Sequence, residues 1–205
     1  MIVIRYLESP MNNYDKMLVA AQERCAGYDM AALAVKAGVE DAPNHLKTKF
    51  FGQTVLVSKA DGAVTVDGRP ADFGQALSIY DWLCDRPDDA RESGEYCPVG
   101  SLPGVFVGGK GLGMDMPKLA RRIHEAPDAF TEAMKELGAQ QLPLGDLGFR
   151  LEIFPGLSMC LKFYFGDEEF PPKLTLLWDR NILRFVRYET VYYIAGCLHQ
   201  RLTCV

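Results

Sequence analysis

The chain is short of basic charge, of histidine and of long apolar runs, and each shortage removes a class of function. Lys and Arg number 22 against 27 Asp and Glu, giving a formal net charge of −5 and a pI near 5.3. Nucleic acid and anionic lipid both attract proteins through a basic field that displaces counterions, so neither is an expected partner. No stretch reaches the roughly 18 to 20 apolar residues that a membrane span requires. The opening MIVIRYLESPMNN has too short an apolar run and no basic leader for a signal peptide, so a cytoplasmic location is expected.

Metal-binding and catalytic signatures are missing too. The six cysteines, Cys25, Cys84, Cys97, Cys160, Cys197 and Cys204, are scattered, with no CxxC pair and no Cys/His grouping at zinc spacing. Cys25, Cys84 and Cys197 fall on apolar faces of expected helices and Cys160 inside an expected strand, where a thiol behaves as a small hydrophobe. His45, His124 and His199 stand apart from one another and from any HExxH-like set, so no metal site is expected. There is no GxSxG elbow and no GxGxxG. GVFVGGK, residues 104 to 110, has the GxxxxGK spacing of a phosphate-binding loop, but Gly111 stands where that loop needs a hydroxyl for magnesium. Gly108, Gly109, Lys110 and Gly111 are read instead as a candidate lid.

What is present is a core. At 205 residues and 48% apolar composition, the chain suits a single domain over residues 1–205. Asn12 or Asn13 caps a helix with Met17, Leu18, Ala21 and Cys25 at helical spacing, and Asp29 caps a second that stops at Gly38, making a helical N-terminal lobe over 12–38. Lys49 to Val57 reads as a strand, Asp61-Gly62 as a hairpin dipeptide and Ala63 to Val66 as the returning strand. Asp72 caps a helix carrying Phe73, Ala76, Leu77, Tyr80, Leu83 and Cys84 on one stripe. Residues 86–113 form a Gly/Pro-rich surface connection with one short strand near Tyr96 to Val99. Helices are expected over 117–125 and 127–137, separated because Pro127 fits only a first turn. A C-terminal three-stranded meander plus helix fills 149–203: strands 149–154, 157–165 and 173–178, then a helix over 189–202 buried through Val191, Ile194, Ala195, Leu198 and Leu202. Without regular strand–helix alternation, the fold expected is α+β, a mainly antiparallel sheet of about five strands packed against helices.

One connection is unusual. FGDEEFPPK, residues 165 to 173, sets Asp167, Glu168 and Glu169 and two prolines between two apolar strands. Backbone geometry accounts for much of it: Gly166 is expected to adopt an angle other residues resist, Pro171-Pro172 to hold an extended entry, and Phe170 to tuck back as an anchor. Three adjacent carboxylates repel one another and become useful beside a cation or basic ligand, so Asp167, Glu168 and Glu169 are the candidate ligand-binding residues.

GDLGFRLEIFPGLSMCLKFYFGDEEFPPKLTLLWD and ETVYYIAGCLHQRL, together with the earlier blocks YDKMLVAAQERCAGYDMAALAVKAG, FFGQTVLV, ALSIYDWL and GEYCPVGSLPG, resemble an uncharacterised domain-of-unknown-function family (DUF 3786 type) found mainly in anaerobic bacteria and archaea. GDEEFPP is its most recognisable string. Some relatives resemble fusions to a cysteine-rich iron–sulfur segment like that of corrinoid one-carbon proteins. The resemblance implies a ligand- or cofactor-binding module of anaerobic cofactor or one-carbon metabolism, taking a corrinoid, a tetrapyrrole or a metal, with a small-molecule cofactor or a protein of that metabolism as partner. Two other readings stay open: an interaction domain docking through the acidic loop, and an enzyme using a loop carboxylate as general base.

Overall fold

The computed structural model describes residues 12–105 and 115–203. Local signals start the fold where the sequence places them. Asn12 and Asp15 exchange side-chain and backbone hydrogen bonds in a capping box that opens α1 (Asn13–Ala26). Asp29 accepts from the amides of Ala31 and Ala32 to open α2 (Met30–Ala37), which ends at Gly38 with φ 64°. After the first sheet, Asp72 and Gln75 form a second capping box at α3 (Phe73–Tyr80).

The fold is α+β: among the described residues six α-helices accompany ten strands, which form two antiparallel sheets of five rather than one sheet. The first runs in sequence order through β1 (Glu40–Asp41), β2 (His45–Phe50), β3 (Gln53–Ser58), β4 (Val64–Val66) and β5 (Arg69–Pro70). The second has the order β6-β10-β9-β8-β7, from β6 (Tyr96–Cys97), β7 (Gln140–Leu142), β8 (Leu147–Phe154), β9 (Leu157–Tyr164) and β10 (Lys173–Asp179).

The extra strands come from two further turns. The run expected as one strand over Lys49 to Val57 is cut by a two-residue turn in which Phe51 and Gly52 both have positive φ, 48° and 76°. Phenylalanine resists that region, but tertiary contacts hold it there. Its amide donates to the Ile153 carbonyl at 2.9 Å, its own carbonyl accepts from Arg201 Nη1 at 2.7 Å, and its ring packs on Phe50 with centroids 4.7 Å apart. Asp67-Gly68 makes the second such turn, with Asp67 accepting from the Thr54 amide and from Gln53.

Where the sheets meet, four aromatics pack in file, two of the three contacts stacked and the Phe50–Phe51 contact tilted. Phe51 lies on Phe50, Phe50 on Phe154 at 4.8 Å, and Phe154 on Trp82 at 4.7 Å. All four are essentially inaccessible to water. Trp82 sits in a π-helical turn, Asp81–Asp85, that prolongs α3. The wider turn places Asp81, fully buried, against α6 (Tyr188–Thr203). Its carboxylate accepts from the Arg187 amide at 3.2 Å, from Arg187 Nε at 3.0 Å and Nη2 at 2.5 Å, and from the Thr190 hydroxyl. The five α6 residues expected to be buried are all buried.

The connection after residue 86 is tied down as far as Val105, and its short strand is β6, followed by a 3-10 turn at Val99–Ser101. Asp179, buried at the end of β10, accepts from the Ser93 amide and hydroxyl, the Gly94 amide and the Asn181 amide at 2.8–3.0 Å. Glu92 bridges Arg150 and the Ser158 amide, while Arg180 and Arg184 reach Glu95 and Asp89. Beyond the connection, α4 (Met116–Glu125) and α5 (Pro127–Glu136) break at Pro127, as expected.

Candidate functional site

The acidic connection between β9 and β10 is built from its neighbours upward. Asp146 Oδ2 accepts the Phe165 amide at 2.8 Å, and the Asp146 amide donates to the Phe163 carbonyl at 2.9 Å. The Gly166 amide donates to His124 Nδ1 at 3.3 Å, which joins the loop to α4. Asp167 then closes the loop on itself. Its amide donates to the Phe170 carbonyl at 2.9 Å, and its Oδ1 accepts from the amides of Glu169 and Phe170 at 2.9 and 2.7 Å. This is an Asx turn, in which a short carboxylate stands in for a backbone carbonyl.

Gly166 is required for a different reason from the one expected. Its φ is not in the left-handed region; instead a Cβ there would lie 2.6 Å from Pro172 Cδ and 2.8 Å from Pro172 N. The prolines press against the glycine, and that close approach sets the loop's width.

Between this loop and α4 lies a cleft of about 730 Å³. Met116, Pro117, Ala120 and Arg121 line it from α4, while Phe165, Phe170 and Pro171 line it from the loop. The helix presents these residues because Leu119 and Ile123, on its other flank, are buried. Phe165 is held edge-on against Phe163 at 5.2 Å and against His124 at 5.8 Å. Even so, Phe165 is 40% exposed, Tyr164 44% and Phe170 67%. Phe170 is therefore no anchor: the Asx turn fixes its backbone and leaves its ring in solvent.

The three candidate carboxylates are placed differently. Asp167 lines the cleft, whereas Glu168 and Glu169 are exposed, outside the lining, and make no side-chain hydrogen bond or ion pair among the described residues. Hydrogen bonds from the Phe170 and Glu169 amides hold the Asp167 carboxyl below the usual aspartate value. A general base at neutral pH needs the opposite shift. Among the described residues no three His, Cys, Asp or Glu side chains gather in metal-holding geometry. The candidate lid residues Gly108, Gly109, Lys110 and Gly111 lie outside the described residues.

A family model described as a domain of unknown function (DUF3786) matches residues 29–201. The chain belongs to this family. No curated protein and no solved structure matches it. Within the family match fall α4, the acidic loop and every cleft-lining residue, so the cleft lies wholly inside the family's shared region. Sequence reasoning missed Arg121, Asp146, Phe165 and the face of α4. The available signal was the run of aromatics, Phe163, Tyr164, Phe165 and Phe170, which exceeds what one strand's inner face can bury.

Proposed function

We propose that the chain is a ligand-binding module whose cleft, between α4 and the loop over Phe165 to Pro172, takes a small molecule with a flat apolar body. One observation carries this reading: three solvent-exposed aromatic side chains cluster at a cleft of ligand-sized volume, on a loop held rigid by its own hydrogen bonds. Aromatic rings stack on flat molecules, and covering one such ring gains about 1.5–3 kcal/mol. A corrinoid or other tetrapyrrole of anaerobic one-carbon metabolism, the ligand class implied by the family resemblance, has that chemistry. Rigidity matters because a preformed site loses little entropy on binding.

The test is anaerobic titration of the full chain with aquocobalamin, and separately with anilinonaphthalene sulfonate as a general probe of the apolar cleft. Each of Phe165→Ala and Phe170→Ala should weaken binding roughly tenfold, and Phe170→Ala, whose ring lies in solvent, should leave the thermal midpoint of the free protein unchanged. Binding of both probes that is indifferent to the two substitutions places the ligand elsewhere. A thermal shift with anilinonaphthalene sulfonate but not aquocobalamin keeps the cleft and discards the corrinoid.

A second reading has its own observation. Phe170 projects beside Glu168 and Glu169, which have no partner among the described residues, an arrangement that suits docking onto a basic, apolar-centred protein surface. Glu168→Gln with Glu169→Gln separates the two: docking weakens, and small-molecule binding in the cleft does not.

A further inference from the structure

We infer that the cleft between α4 and the acidic loop selects an anion: its ligand carries a carboxylate on a flat apolar body, and Arg121 and Lys173 receive that group. The inference rests on the cleft reading above and adds the charge of the ligand. Composition points the other way, since the chain is acidic overall and the loop holds three carboxylates in a row.

The geometry reverses that expectation, because the acids of the lining are already engaged. Among the described residues the charged side chains at the cleft are Arg121, Asp146, Asp167 and Lys173. Asp146 Oδ2 accepts the Phe165 amide at 2.8 Å, and Asp167 Oδ1 accepts the amides of Glu169 and Phe170 at 2.9 and 2.7 Å. Each carboxylate thereby holds the loop's backbone, and the N–H dipoles it collects offset part of its charge. Glu168 and Glu169 stand outside the lining. Arg121 and Lys173 have no such duty. Neither makes a side-chain hydrogen bond or an ion pair among the described residues, with the two lining aspartates or with any other acid.

The two cations come from different walls. Arg121 lies on the face of α4 that also brings Pro117 and Ala120 to the cleft, and Lys173 is the first residue of β10, paired across the sheet with Tyr164. Tyr164 lines the cleft as well, and Lys162 Nζ stands 5.3 Å from its ring centroid, which adds positive charge beside that ring. Phe165, Phe170 and Leu174 supply apolar surface in the same lining. A flat ligand resting on the rings therefore finds donors without acceptors at the cleft. Arginine offers a planar fork that matches a carboxylate, and lysine a mobile point charge. A cationic ligand would instead have to compete with backbone amides for Asp146 and Asp167. Among flat ligands, the cleft favours those with free carboxylate side chains over those whose acids are capped as amides.

The experiment titrates the native full chain, near neutral pH and at low salt, with three fluorescent probes that share one flat body: pyrenebutyrate, pyrenebutanol and pyrenebutylammonium. Pyrenebutyrate should bind about tenfold tighter than the alcohol, and the ammonium more weakly than either, because charge-assisted hydrogen bonds exceed neutral ones. The preference for carboxylate over alcohol should shrink about three- to fivefold in each of Arg121→Gln and Lys173→Gln, vanish in the double variant, and fall with added salt. Phe170→Ala should weaken all three probes. Arg121 and Lys173 are exposed, so an unchanged thermal midpoint confirms that the charge variants are folded. If the three probes bind alike, or the carboxylate preference survives the double substitution, the anion inference is wrong while the cleft reading stands. Tightest binding of the ammonium also overturns it, and assigns selection to Asp146 and Asp167. If no probe binds, or all bind with indifference to Phe170→Ala, the cleft reading itself fails and the inference fails with it.

Discussion

At the residue scale, the carboxylates divide by what they accept. Asp81 and Asp179 are wholly buried and each collects several donors, so their charge is compensated by the geometry around them. Asp167 is fully exposed and collects two amides of its own loop. Its lowered pKa fixes the sign of its pH dependence. The stabilising effect on the loop is present above the ordinary aspartate value, and it is lost as pH falls through the depressed one, where the protonated carboxyl no longer draws both amides. We expect the amide resonances of Glu169 and Phe170 to hold steady down to about pH 4 and to move only at lower pH. Resonances that titrate between pH 5 and 7 would mean that Asp167 is not bonded as described. The sequence shows three adjacent acids, but not that the first is consumed by the turn it starts, because an Asx turn depends on φ and ψ rather than on composition.

At the element scale, the β2–β3 turn sets how the two sheets meet. Phe51 adopts a left-handed backbone because three partners reward it: the Ile153 carbonyl, the Arg201 guanidinium and the Phe50 ring. Phe51→Ala removes the ring from the aromatic file while keeping an unfavourable φ, so about 3 to 5 kcal/mol of stability should disappear in urea unfolding. A loss below about 1 kcal/mol would mean that the file is not packed as described. Helices were the most legible elements: capping residues Asn12, Asp29 and Asp72, the break at Pro127 and the α6 stripe all follow from local chemistry. The C-terminal meander was legible from its Pro155-Gly156 turn and long apolar strands. Phe51-Gly52 was not, since nothing local makes phenylalanine a turn residue. The Asp67-Gly68 hairpin was available in the sequence as a dipeptide signal, but β5 is too short to announce itself. The cleft was half legible: its acidic loop stands out in the string, while the α4 face opposite depends on tertiary placement.

At the scale of the whole molecule, the stretch after residue 86 is a strap fastened across the second sheet, and Asp179 is its main fastener. Asp179→Ala leaves two strap amides, a hydroxyl and the Asn181 amide without their acceptor, and should cost about 2–4 kcal/mol. Limited proteolysis should then cut within residues 86–105 while β8 to β10 stay protected. Cleavage that begins instead in α4 or the acidic loop would show that the strap is held by other means. The Phe51 turn also bears on the order of assembly. Its partners Ile153 and Arg201 lie far downstream, so a chain emerging from the ribosome can pair β2 with β3 well before either arrives. Until then Phe50 and Phe51 have no second sheet to cover them. Long-range closure of this kind slows folding, and it leaves the two rings exposed for as long as the downstream strands are unmade.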